Sequence, residues 1–368
     1  MNLPAELLIT TYTCLLHVRL APEPSHPDVD VLEREHGVYF GLTRETGGDV
    51  FCVARNMDVL QRPRHPDLPT NTIRQLSIPP HGIPDDSHHC LSFSGSVDLH
   101  QIRHFGGSIW ATAGCEPELL VVNLESGQLQ AGVPLQQFVP ADLQHTAPEA
   151  HPGDRYHFNS IHFGRDRLFL LAHNWGYGSF VLEFHFPGTE EFLQNPTLSA
   201  VYRNVGFEAH DVFSDGNSIV VLDSLNGMVR RLSRSAIIRQ FGESTCKIGR
   251  SLESINDRCP SSVSARCNSG QMFLRGLAAD DNCYFVGHSG FAKSRENRSD
   301  NWTYLSIVDR RTLGLNCTLR LGQFGDTSDV LLLDRPDLTD RKRNDSVKLA
   351  YQVASLPKLL ANPFRKRA

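Results

Sequence analysis

Apolar and polar residues exchange over short runs along this chain, and almost nowhere do apolar positions return every three or four residues as a helix face requires. The runs are four to seven residues long and end at Gly, Asp, Asn or Pro, which punctuate strands and tight turns. LLITTYT near the start, the run from Glu118 to Leu124 and VLLLD near residue 330 are examples. None approaches the roughly eighteen consecutive apolar residues of a membrane helix. The pattern predicts an all-β protein.

The strands repeat. LHQIRHFGGSIW (99–110), FNSIHFGRDRLF (158–169), AHDVFSDGNSIV (209–220) and LRGLAADDNCYF (274–285) share one layout. An aliphatic anchor (Ile102, Ile161, Val212, Leu277) is followed seven residues later by the start of a second strand, across a polar turn. The anchors lie 59, 51 and 65 residues apart, and DVLEREHGVYFGL from Asp30 adds a weaker fifth copy. A period of this length carrying four short strands marks a β-propeller, whose blades bury their faces against one another. Five blades of four antiparallel strands are expected. Two β-sandwiches could use the same strands but give no reason for the hairpin to return on one schedule. Residues 1–333 form a single propeller domain on this reading, followed by a closing segment and basic tail over 334–368. LLITTYT is expected to pair with the strands around SDVLLLD and so close the ring. The Pro- and His-rich connections 57–98, 130–157 and 240–272 are expected to form lids or channel walls.

Composition narrows the partners. Lys and Arg number 36 against 41 Asp and Glu, a formal charge of −5, without the basic excess that neutralises nucleic-acid phosphates. Neither nucleic acid nor membrane is an expected partner. The opening segment carries Glu6 and no basic residue before His17, unlike a secretory leader. Nine scattered cysteines without a CxxC pair fit free thiols in a reducing cytoplasm, and the four NxS/T sequons (Asn297, Asn301, Asn316, Asn344) then carry no sugar.

LLITTY, PADLQHTAPEAHPGDRYHFNSI and RGLAADDNCYFVGHSGFAKSRENR resemble segments of a bacterial family of propeller-like proteins often encoded near biosynthetic or transferase genes. The resemblance covers about half the chain, chiefly 99–310. It implies the propeller more firmly than any activity. Where that family carries Asn-Gly, this chain has Asn159-Ser160.

In a propeller the innermost strands line the axis, so equivalent residues converge on a shared funnel. Two before each anchor stand His100, Asn159, His210 and Arg275; four before stand Asp98, His157, Glu208 and Phe273. The second strands end in His173-Asn174, Asp223-Ser224 and His288-Ser289. Recurrent imidazoles point to a mononuclear metal, iron, copper or zinc, held by a subset of His100, His157, His173, His210 and His288 with a position open to substrate. Glu208 is the candidate base, Asp211 the group that orients a histidine, and Arg275 the fork for a substrate carboxylate or phosphate. Asn159, Trp175, Tyr177 and Arg298, with Lys293 and Arg295, are the candidate substrate contacts. The expected activity is that of a metal-dependent oxidoreductase or lyase acting on a small molecule in a biosynthetic pathway. A non-catalytic binding scaffold and a five-bladed glycosidase, using Asp98, Glu208, Asp211 or Asp223, are the alternatives. No nucleophile elbow, P-loop or dinucleotide fingerprint is present.

Overall fold

Six four-stranded antiparallel sheets build the molecule, each innermost strand touching those of its two neighbours until the circle closes. The computed structural model describes residues 5–22, 26–34, 37–45, 48–57, 70–76, 90–93, 98–114, 117–149, 153–234, 262–264, 272–292, 294, 296–334 and 337–340. Blade 1 contains β1 (Ala5–Thr11), β2 (Leu15–Leu20) and β3 (Asp28–Glu33). Blade 2 runs outward through β4 (Val38–Arg44), β5 (Val50–Arg55), β6 (Asn71–Leu76) and β7 (Cys90–Phe93). Blade 3 has β8 (Leu99–Phe105), β9 (Ser108–Ala113), β10 (Glu118–Asn123) and β11 (Leu129–Pro134). In blade 4 these are β12 (Phe158–Phe163), β13 (Arg167–Ala172), β14 (Phe180–His185) and β15 (Thr197–Tyr202). Blade 5 comprises β16 (His210–Ser214), β17 (Ser218–Asp223), β18 (Met228–Ser233) and β19 (Ser262–Ser264). Blade 6 comprises β20 (Met272–Ala279), β21 (Cys283–Gly290), β22 (Thr303–Asp309) and β23 (Leu315–Gly322). The last strand, β24 (Thr327–Leu332), returns to blade 1 as its innermost member and pairs with β1, Leu7 opposite Leu332 and Ile9 opposite Val330. This is the expected closure.

The ring has six blades, not five. The copy from Asp30 is not a hairpin: it straddles the outer strand of blade 1 and the inner strand of blade 2. Blade 1 escapes the repeat because its inner strand and the next one out come from opposite ends of the chain.

Six apolar clusters fill the six blade-to-blade interfaces. Strand period explains how one sheet serves two of them. In β9, Ile109, Ala111 and Ala113 face blade 2 while Trp110 packs among Phe158, Phe163 and Phe186 of blade 4. In β13, Leu168 and Leu170 face blade 3 while Phe169 and Leu171 face blade 5. Strands covered on both faces therefore read as unbroken apolar runs, and the outer strands β3, β11, β15 and β23 show many exposed residues.

Each innermost strand is also bulged at the same height. Register shifts fall at Tyr39/Leu42, Leu99/Ile102, Phe158/Ser160, His210/Val212 and Leu274/Leu277, and in β24 the pairing skips Ser328. A bulge frees a residue from the ladder and re-aims side chains, here toward the axis.

Residues 337–340 are joined to the ring rather than forming a separate tail. Asp337 accepts the backbone N–H groups of Ala279 and Leu332 (both 3.1 Å), and Leu338 packs between blades 5 and 6. The basic stretch from 341, and most of the connections 57–98 and 240–272, lie outside the described residues.

Candidate functional site

The bulges place one residue from every blade around an open pocket: Phe40, His100, Asn159, His210, Arg275 and Ser328. Four of these are the residues expected two before each anchor. Deeper along the axis come Gly41, Gln101, Ser160, Asp211 and Asp329, which tie the blades together. Gln101 donates to Asp211 (2.6 Å) and accepts the N–H of Ile161 (2.8 Å); Ser160 accepts the N–H of Asp211 (2.7 Å). Asp211 also accepts the N–H of Gly276 (2.8 Å), and Asp329 accepts that of Leu42 (2.9 Å). Asp211 is therefore a blade-to-blade clip and does not orient a histidine. Burial, with Asp211 nearby, pushes Asp329 up to about 7 against the pull of Arg103.

Above this belt four imidazoles form an arc over blades 3 to 5. Ring centroids are 4.3 Å apart for His100 and His157, 5.3 Å for His157 and His173, and 5.4 Å for His173 and His210. Trp175 closes on the middle of the arc, its ring 5.0 Å from His157 and 4.9 Å from His173, with its indole N–H on the Asp154 carbonyl (2.9 Å). Seven non-glycine residues among those described have positive φ, and five belong to the arc or to the belt beneath it: His157, Asn174, Trp175, Glu208 and Asp211. Left-handed backbone costs about 1–3 kcal/mol per residue, and such strain gathers where side-chain placement matters.

Hydrogen bonding gives the imidazoles different tasks. His157 presents Nδ1 to the Asp154 carboxylate at 2.5 Å. His210 donates Nδ1–H to the Glu208 carbonyl (2.8 Å) and to Ser224 Oγ (2.9 Å), which itself donates to the Leu274 carbonyl, leaving Nε2 buried without a partner. His173 accepts the N–H of Trp175 on Nδ1 (3.2 Å), so its Nε2 carries the proton, 3.8 Å from Glu208. It therefore has no lone pair free for a metal. His100 Nε2 lies 3.5 Å from Asp98 and has no hydrogen-bond partner. Burial holds the His100 imidazole neutral, down to about 3, and pushes Glu208 upward.

Asp98, His100 and His157 bring one ligand atom each within 4.8 Å of one another. Gly114 packs against the two rings: a Cβ there would lie 3.1 Å from His100 Nε2 and 3.2 Å from His157 Nδ1. Asp98 is ion-paired to Arg55, which donates to the Leu99 carbonyl and lies over the Phe40 ring at 3.8 Å. The pairing holds Asp98 ionised against its burial. Two imidazoles and a carboxylate thus form the cluster, in place of the all-histidine set expected.

His288 stands apart from the arc. It is stacked on Tyr304 (5.2 Å between centroids) and bonded to Ser306 (2.9 Å) within blade 6, so it is not a ligand beside the others. Tyr177 is 63% exposed and stacks on His145, outside the pocket. Arg298 bonds Tyr12 and pairs with Asp326 (3.7 Å), while Lys293 and Arg295 lie outside the described residues. Asp223 is fully buried and bound by Arg230 and Asn226.

Fold and site together define a six-bladed β-propeller with a histidine-rich axial funnel. Solved structures agree on the fold. A structure of a nidogen/laminin complex aligns with TM-score 0.53 and 10% identity over 89% of this chain and 98% of that one. A protein of unknown function from Bacteroides caccae gives 0.53 and 12% over 90% and 100%. A provisionally assigned 6-phosphogluconolactonase from Bacteroides fragilis gives 0.50 and 10% over 90% and 98%. No family model matches the chain, and no curated protein matches it in sequence. Among the described residues no helix is long and apolar enough to cross a membrane.

Proposed function

We propose that this propeller is a metal-dependent enzyme acting on a small molecule in its axial funnel, with zinc or iron held by Asp98, His100 and His157. The observation that carries the reading is the convergence of one ligand atom each from Asp98, His100 and His157 within 4.8 Å, with His100 Nε2 buried, outside any hydrogen bond and 3.5 Å from Asp98, and with Nε2 as the donor His157 has left once Nδ1 is given to Asp154. Two imidazoles and one carboxylate suit zinc or non-haem iron with positions left open, and fit copper less well. A divalent ion there supplies Lewis-acid polarisation of a substrate oxygen. Asp154 fixes the His157 ring through Nδ1, and Arg55 fixes Asp98.

Glu208 is the acid or base: it is half-buried, raised by that burial, and faces the Nε2–H of His173. Asn159 lines the pocket and Trp175 walls it. Nucleic acid and membrane are not part of this reading. A reducing cytoplasm and a biosynthetic role belong to the same proposal; Cys14 and Cys317 as thiols outside any disulfide support the first, and the resemblance to a family often encoded near biosynthetic genes supports the second. The provisional lactonase assignment of one structural neighbour puts a small-molecule enzyme on this fold. The glycosidase alternative lacks its second carboxylate, because Asp98, Asp211 and Asp223 are all committed to other partners.

Titration of chelator-stripped protein with cobalt(II), followed by its visible absorption, tests the reading. One equivalent is expected to bind in the wild type and in His288→Gln, and none in His100→Ala or His157→Ala. Equal binding by all four proteins, or binding by none, would leave a metal-free binding scaffold.

A further inference from the structure

Arg275 sits on the bulge of β20, 8% exposed, on the wall of the funnel. Among the described residues no hydrogen bond or ion pair reaches its guanidinium, and Nε is buried with no partner. It lies over the face of Phe273, 5.1 Å from the ring centroid. The surroundings do not supply the missing anion. Asp326 takes a hydrogen bond from Asn301 (2.6 Å) and pairs with Arg298, and Arg298 adds a second positive charge. Glu208 acts on Arg275 only at a distance, and its own burial favours its neutral form. A buried guanidinium left unpaired is strongly unfavourable, and folds keep one where a ligand completes it.

We propose that Arg275 is the receptor for a carboxylate on the molecule that the funnel takes. The inference rests on the reading of the funnel as a small-molecule site but not on the metal. The planar fork matches a carboxylate in bidentate fashion. A phosphate dianion suits the place less, because it needs more donors than one guanidinium and would lie close to Asp326 and Glu208. Asn159 and the Nε2 lone pair of His210 line the same pocket, so polar substituents of the molecule are accommodated beside its acid group.

Calorimetric and thermal-shift titrations of the full chain in EDTA, with acetate and pyruvate as carboxylate probes and inorganic phosphate beside them, test the proposal. Saturable binding of the carboxylates is expected in the wild type, weakened about 10- to 100-fold in Arg275→Gln. The ligand-free Arg275→Gln protein is expected to melt at a higher temperature than the wild type, because an unpaired charge has gone; a structural arginine would give the opposite shift. Equal carboxylate binding in both proteins, tighter binding of phosphate, or a lower melting temperature without any anion binding would overturn it. Binding seen only after metal is restored, and kept in Arg275→Gln, would place the acid group on the ion: that would refute the role of Arg275 while leaving the metal centre standing.

Discussion

His288 offers a calibrated test of how the propeller responds to acid. Its ring is fully buried in blade 6, stacked on Tyr304, and burial alone pushes it down to about 3. The unfolded chain takes up a proton on this imidazole near pH 6.5, whereas the native state refuses it until about 3. The associated stability is thus fully present above pH 6.5 and is lost as pH falls from there toward 3. Between pH 8 and pH 5 the unfolded state gains about 1.5 pH units of proton binding that the native state does not share, or about 2 kcal/mol. Glutamine can keep the bond to Ser306 and has no titration. Urea unfolding of wild type and His288→Gln at pH 8 and pH 5 should therefore show the wild type losing about 2 kcal/mol more than the variant. Any change in packing is the same at both pH values and cancels. His100, His162 and His210 are likewise buried and lowered, so both proteins lose further stability in parallel. Equal losses by wild type and variant would refute the argument.

Three further outcomes follow from the same structure. Asp329→Asn should abolish a decline in stability between pH 6 and 8 of about 1 kcal/mol, because a carboxyl raised to about 7 stabilises the fold while protonated and loses that contribution as pH rises through its folded value; denaturant midpoints at the two pH values check this. Gly114→Ala should weaken cobalt(II) binding at least about tenfold while circular dichroism remains unchanged, since the added Cβ meets His100 and His157 side chains rather than backbone. Trp110→Ala should cost about 3–5 kcal/mol in urea unfolding, as it empties the aromatic interface between blades 3 and 4.

The four polar residues two before each anchor were readable because blades 3 to 6 are contiguous hairpins, so one spacing rule finds all four. Their counterparts Phe40 and Ser328 were not readable. Phe40 follows the outer strand of another blade with no hairpin signature, and Ser328 lies in a strand whose partner β1 is more than 300 residues away in sequence. The same discontinuity hid Asp326 and Asp329. The tasks of the histidines were equally beyond the sequence. His100, His173, His210 and His288 all occupy recurrent positions, but hydrogen bonding decides which nitrogen is free, and the lone pair of His173 is taken by a backbone N–H two residues on. Asp154, which fixes His157, comes from a connection recognisable as a channel wall, but its reach depends on the left-handed backbone at His157.

Anomalous diffraction from crystals grown with zinc, recorded on both sides of the zinc absorption edge, tests the central claim most directly. A single strong peak within ligand distance of Asp98, His100 and His157 is the predicted result. A funnel without a peak, or a peak centred on His173 and His210 and away from Asp98, would contradict it.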